Sequence, residues 1–275
     1  AIGTSLPGLG VVLNAINRGS PEAVDLAVGG VIGSNIANVM LVLAIAMLIG
    51  AASQPDKDLK EDALMLLAAT TFVVLSVVMG EFPVWLGVLS ISSMGGYYAY
   101  IFRTRGGEDS DEEDSWIPRG YAYALVAFLF GLILVKFGSD LLIEGGVGLA
   151  ISIGVSEAVI GLTLVAFGTS LPELAVTITA SIRGVQGVAI GNILGSNVAN
   201  VMAVLGIGAI AAQGLSVSGS FLTLDIWVLL VSSGIIGVSI LLGKGVSKPL
   251  GAFLLLGYFV SVSYTHLRAH ETGSY

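Results

Sequence analysis

Residues 3–50 and 168–212 of the 275-residue chain are near-copies of one another. The first opens on Gly3-Thr4-Ser5-Leu6-Pro7 and reaches Gly33-Ser34-Asn35-Ile36-Ala37-Asn38-Val39-Met40. The second opens on Gly168-Thr169-Ser170-Leu171-Pro172 and reaches Gly195-Ser196-Asn197-Val198-Ala199-Asn200-Val201-Met202. Both copies are polar and punctuated by Gly and Pro, yet both sit inside long apolar runs. Proline withdraws a backbone donor and clashes with the preceding turn, so such a segment interrupts a helix. In a bilayer, irregular backbone survives only where protein or a wet cavity surrounds it. A duplicated interruption therefore implies a transporter built from two repeats, with its site where broken helices from the two halves meet.

Composition agrees. Hydrophobic residues make up 55% of the chain and charged residues 11%, with a mean hydropathy of +0.94; a soluble domain carries about 25% charged residues. The 38 glycines suit membrane helices, where small residues let backbones approach closely. There is no cysteine, which excludes disulfides, thiolate metal sites and a cysteine nucleophile. The net charge of −8 is concentrated in one loop, and nothing points to nucleic acid.

A spanning helix needs ~20 mostly apolar residues. On that scale spans are predicted near residues 1–17, 26–50, 62–80, 83–102, 119–138, 148–181, 187–212, 219–241 and 249–263. The first starts inside the motif and reads as the second half of a broken helix. The 148–181 run is too long for one straight crossing and is predicted to break at Gly168–Pro172. The chain divides into a first repeat half at 1–102, an acidic linker at 103–118, a second repeat half at 119–263 and a tail at 264–275. The linker, Arg103 to Ser115 with six acids, has no ligand pattern of a calcium loop and reads as a solvated connection. The tail holds both histidines, departs from the apolar pattern and resembles translated adapter read-through; it is expected to be disordered or non-native.

Basic residues orient the spans. Lys57, Lys60, Arg103, Arg105, Arg119, Arg183, Lys244 and Lys248 fall on one side, and Arg18 and Lys136 on the other. Eight against two places the 104–118 linker in the cytoplasm of a multi-pass protein of the cell (inner) membrane. An odd number of crossings separates the two motifs, so they enter the membrane from opposite sides, as an inverted repeat requires.

Glu173 follows Leu171-Pro172 directly, deep in an apolar run, where a carboxylate is costly and marks function. Around it lie hydroxyls of Thr169, Ser170 and Ser196 and amides of Asn192, Asn197 and Asn200. Oxygen-only donors suit Na+ and Ca2+ rather than zinc or copper. No cofactor is called for. No enzyme is implied either, since neither Ser5 nor Ser170 has a neighbouring base in sequence to activate it.

Gly168-Thr169-Ser170-Leu171-Pro172-Glu173, followed by Gly191-Asn192-Ile193-Leu194-Gly195-Ser196-Asn197, resembles the second α-repeat of the prokaryotic sodium/calcium exchanger family, in the cation/calcium antiporter superfamily. Gly154-Val155-Ser156-Glu157 and Ile160-Gly161-Leu162-Thr163 fit the same pattern. The resemblance covers all but the tail. It implies an all-α polytopic membrane protein of two inverted five-helix repeats, of which this chain would lack the first helix and part of the second. It also implies a monomeric antiporter that exchanges Na+ for Ca2+ by alternating access. Carried over by motif position, Glu173 becomes the central carboxylate, Ser170 and Ser196 flanking hydroxyls, and Ala166 a backbone carbonyl donor. Asn200 stands where relatives have Asp or Asn. Thr4, Ser5, Ser34, Asn35 and Asn38 are the first-repeat counterparts.

The first repeat departs from this pattern. The glutamate expected after Leu6-Pro7 is Gly8, and the asparagine expected before Val31-Ile32-Gly33 is Gly30. Pro7 to Gly33 spans 26 positions against 23 from Pro172 to Gly195. The family pairs two glutamates around one Ca2+, whereas this chain offers one. The alternatives are a Ca2+/H+ or other cation/proton antiporter with Glu173 as proton carrier, a transport-inactive homologue, or a sequencing error at position 8.

The chain's lack of cysteine makes its topology directly testable. Single cysteines at Ser110 and Ser261 should react with an impermeant thiol reagent from opposite sides of intact cells. Labelling of both from outside would overturn the orientation.

Overall fold

The computed structural model describes residues 1–19, 21–51, 55–105, 166–217, 219–222 and 224–272, together with scattered helical positions between 126 and 141. The linker beyond Arg105, the predicted span 119–138 and the first part of 148–181 lie outside the described residues, apart from those scattered positions.

The first repeat consists of α1 (Ile2–Arg18), α2 (Pro21–Ala37), a π-helical segment (Asn38–Leu43), α3 (Ala44–Ile49), α4 (Lys57–Met79) and α5 (Val84–Arg105). The second consists of α6 (Ala166–Thr169), α7 (Leu171–Ile182), α8 (Gln186–Ala199), a second π-helical segment (Asn200–Leu205), α9 (Gly206–Ala211), α10 (Asp225–Leu241) and α11 (Lys248–Thr272). Ala27–Ile49, Lys57–Met79 and Gln186–Ala211 are each long and apolar enough to cross a membrane. At 1.5 Å per residue, the 23 residues of α4 reach about 35 Å against a hydrocarbon core of roughly 30 Å.

Local chemistry sets the ends. Asp56 caps α4, its carboxylate accepting from the Leu59 N–H at 2.7 Å, and Gly80 closes the helix with φ 75°. The predicted interruption of 148–181 falls at Ser170, between α6 and α7, with Pro172 in the first turn of α7. In α1, by contrast, the helix runs uninterrupted through Pro7, with little more than one turn preceding it. Helix α11 continues to Thr272 rather than stopping at 263, because no Gly or Pro intervenes between Gly257 and Gly273.

Two short strands show how the halves are oriented. β1 (Glu81–Phe82) follows α4, and β2 (Leu215–Ser216) follows α9; they pair antiparallel, Glu81 opposite Ser216 and Phe82 opposite Leu215. The end of the helix that follows the π-containing crossing in the first repeat thus meets the end of the π-containing crossing itself in the second. Two repeats of equal orientation would put those ends on opposite faces. The pairing requires inverted repeats. At the other end of α4, Gln186 Nε2 donates to the Gly50 carbonyl at 3.0 Å, joining the opposite-face loops.

Packing repeats the symmetry. A Cβ on Gly87 in α5 would lie 2.8 Å from the Gly206 carbonyl, and one on Gly251 in α11 would lie 2.9 Å from the Ala44 carbonyl. Gly206 and Ala44 occupy equivalent positions, each just after a π segment. Helices in lipid associate through close van der Waals packing, so these glycine crossings fix how the last helix of each repeat sits on the opposite half. Gly87→Leu is expected to destabilise the folded protein by about 1–3 kcal/mol through overpacking, read as a lower thermal midpoint in detergent. Gly96→Ala, where an added Cβ meets nothing within 4 Å, should leave that midpoint unchanged or raise it.

Candidate functional site

Both π segments begin at the second asparagine of the duplicated motif, Asn38 and Asn200. A π turn breaks the helical register, and such turns concentrate at functional sites. Here each one starts where α2 and α8 cross at the centre of the bundle. Four asparagines meet at that crossing. Asn38 Nδ2 donates to Asn197 Oδ1 at 3.0 Å, and its counterpart Asn200 Nδ2 donates to Asn35 Oδ1 at 2.9 Å. Asn35 Nδ2 donates to the Asn197 carbonyl at 3.3 Å, and Asn197 Nδ2 to the Asn35 carbonyl at 3.0 Å. Every bond has its symmetric mate.

Around this ring the motif hydroxyls pair across the repeats. Ser34 Oγ lies 2.9 Å from Ser170 Oγ, and Thr4 Oγ1 lies 3.2 Å from Ser196 Oγ. Asn200 Nδ2 also reaches Ser34 Oγ at 3.4 Å. The threonines bond back along their own helices, Thr4 to the Ala1 carbonyl at 2.7 Å and Thr169 to the Ala166 carbonyl at 3.1 Å. The structure therefore brings Thr4, Ser5, Ser34, Asn35, Asn38, Ala166, Thr169, Ser170, Glu173, Asn192, Ser196, Asn197 and Asn200 into one buried region.

Glu173 sits in the first turn of α7, just past the break at Ser170, and is 1% exposed. The hydroxyls of Thr4 and Ser196, 3.2 Å from each other, lie beside its carboxyl group. Its nearest described cation in sequence, Arg183, is exposed at the far end of α7, about 15 Å away along the helix axis. That distance rules out Arg183 as an ion-pair partner. Lys136 lies outside the described residues.

Asn192 takes a different role from the other asparagines. It turns away from the ring, donating to Thr177 Oγ1 at 3.0 Å and approaching the Glu173 main-chain carbonyl at 3.5 Å. It thus braces the turn that carries the carboxylate. Thr177, fully buried, escaped the sequence reading; the available signal was a hydroxyl one helical turn after Glu173 on the same face.

Four buried side-chain atoms lack a hydrogen-bond partner among the described residues, and three belong to this site: Ser5 Oγ, Asn38 Oδ1 and Glu173 Oε2. Buried oxygens are almost always satisfied, so three orphans in one place call for a ligand. All three are hard oxygens able to accept, as an alkali or alkaline-earth cation requires. Among the described residues no group of three or more His, Cys, Asp or Glu forms anywhere.

Comparison with known proteins gives this arrangement a family. The profile of the family described as sodium/calcium exchanger protein matches residues 1–103 and 123–266. An uncharacterized membrane protein of Methanocaldococcus jannaschii is 34% identical over 76% of this chain and 68% of its own length. The sodium/calcium exchanger MaX1 of Methanosarcina acetivorans is 28% identical over 94% of this chain and 84% of its own. The solved sodium-calcium exchanger NCX_Mj, soaked with Na+ and Ca2+, superposes with a TM-score of 0.75 at 29% identity, covering 96% of this chain and 83% of that one. The all-helical inverted-repeat fold, the paired motifs and the profile match agree: this chain belongs to the sodium/calcium exchanger family of membrane cation antiporters.

Proposed function

We propose that the chain exchanges Na+ and Ca2+ across the cell membrane by alternating access, binding its ions at the crossing of α2 and α8. The observation that carries this reading is a set of three buried oxygens, Ser5 Oγ, Asn38 Oδ1 and Glu173 Oε2, that have no hydrogen-bond partner among the described residues and lie in one region between the repeats. Glu173 supplies the charge. Ser170, Ser196, Ser5 and Ser34 supply hydroxyl oxygens, Thr4 and Thr169 hold the motif turns, and the Ala166 carbonyl adds a main-chain acceptor. Asn38 and Asn200 face the site, Asn35 and Asn197 tie the halves together, and Asn192 braces Glu173. One chain contributes both repeats, so a monomer suffices. The activity is transport, with no group assigned to covalent chemistry. The excess of basic residues supports a cytoplasmic face for the 104–118 linker in the inner membrane.

Glu173→Gln keeps the size of the side chain and removes its charge. Na+-gradient-driven uptake of radiolabelled Ca2+ into vesicles should fall by about tenfold or more, because affinity follows ligand charge. Membrane insertion and thermal midpoint should be kept. Glu112→Gln, in the acidic linker, should leave uptake unchanged. Full uptake in Glu173→Gln would remove Glu173 from the site.

A further inference from the structure

The two repeats match around the asparagine ring and part company at one corner. In the second repeat Glu173, Thr177 and Asn192 form a buried polar triad, linked by the Asn192–Thr177 bond and the Asn192 approach to the Glu173 carbonyl. The register that equates Thr4 with Thr169 and Ser5 with Ser170 equates Gly8 with Glu173 and Val12 with Thr177. The register that equates Ser34 with Ser196 equates Gly30 with Asn192. All three polar members are gone from the first repeat. One base change would account for Gly8 alone. It would not account for the loss of the carboxylate, its bracing amide and the hydroxyl that holds the amide.

The space left behind is visible. Gly8 and Gly30 line a common cavity with Thr4, Ser5, Ser34 and Asn200, and its free volume of about 20 Å3 has room for one water-sized particle. A Cβ added at Gly8 would meet nothing within 4 Å. Val12 is fully buried and packs where a side chain on Gly208 would go.

We propose that positions 8, 12 and 30 set the ion preference of this protein: with Gly8, Val12 and Gly30 the described residues of the site carry one negative charge, and the site favours a monovalent cation and binds Ca2+ weakly. Charge interactions are far stronger in a desolvated site than in water, so neutral oxygens of Ser5, Ser34 and Asn38 do not replace a second carboxylate. They do complete the oxygen shell of Na+, for which one carboxylate is the matching charge. The inference rests on the assignment of Glu173 as the ion ligand.

The test measures Na+ and Ca2+ binding to the purified full chain. The unmodified protein should bind Na+ while Ca2+ displaces it only weakly. Combining Gly8→Glu, Val12→Thr and Gly30→Asn should tighten Ca2+ binding by about tenfold or more, following ligand charge, with less gain from Gly8→Glu alone. The same triple change with Gly8→Gln should give no gain, which separates charge from filled volume. Equal Ca2+ affinity in the unmodified and charge-restored proteins would overturn the proposal. So would Ca2+ displacing Na+ readily from the unmodified chain, a result that needs no variant to fold. Glu173→Gln guards the premise: if it binds both ions normally, the site assignment fails, whatever the triple variant does.

Discussion

Four buried asparagine side chains hold the two halves of this protein together. Asn35 and Asn197 each donate to the other's backbone and each accept from the second asparagine of the opposite repeat. An amide left unpaired in this buried, lipid-surrounded core would cost about 1–3 kcal/mol. The ring therefore specifies one register for α2 against α8. That register also aligns the Ser34–Ser170 and Thr4–Ser196 contacts and the start of each π segment at Asn38 and Asn200. On the proposed assignment of the site, the same groups that hold the halves together frame the ion position, so structure and function draw on one set of oxygens.

The glycine crossings serve this centre from outside. Gly87 against the Gly206 carbonyl and Gly251 against the Ala44 carbonyl press the last helix of each repeat onto the far end of the opposite π segment. Each π segment is thus bounded on one side by the asparagine ring and on the other by a close backbone contact.

Much of this was legible in the sequence. The near-repeat of Gly-Thr-Ser-Leu-Pro and Gly-Ser-Asn, set in apolar runs, identified the helices, the two-repeat plan and the residues that converge. Glu173 was visible as a lone carboxylate in an apolar stretch. What was not legible depends on geometry at longer range. A π segment differs from an α-helix by one backbone hydrogen-bond step, and Asn-Val-Met-Leu-Val-Leu carries no side-chain signal for it. The course of α1 agrees with the predicted first span, 1–17. Asn192 was placed among the oxygen donors by type; its Nδ2 bond to Thr177 was not legible in the sequence. Gly8 and Gly30 stood out in the sequence, but Val12 joined them only through the bond between Thr177 and Asn192.

The β1–β2 pairing has a mechanical corollary. On one membrane face the halves are fastened by a backbone ladder, extended by the Val217 N–H to the Gly80 carbonyl at 3.0 Å. On the other, the cross-repeat tie seen among the described residues is a single side-chain bond from Gln186 to the Gly50 carbonyl. Parting the halves at the ladder breaks several bonds held in register, whereas parting them at Gln186 releases one flexible side chain. Among the described residues, the contacts that an opening must break therefore differ in kind between the two faces, a backbone ladder on one and a side-chain bond on the other.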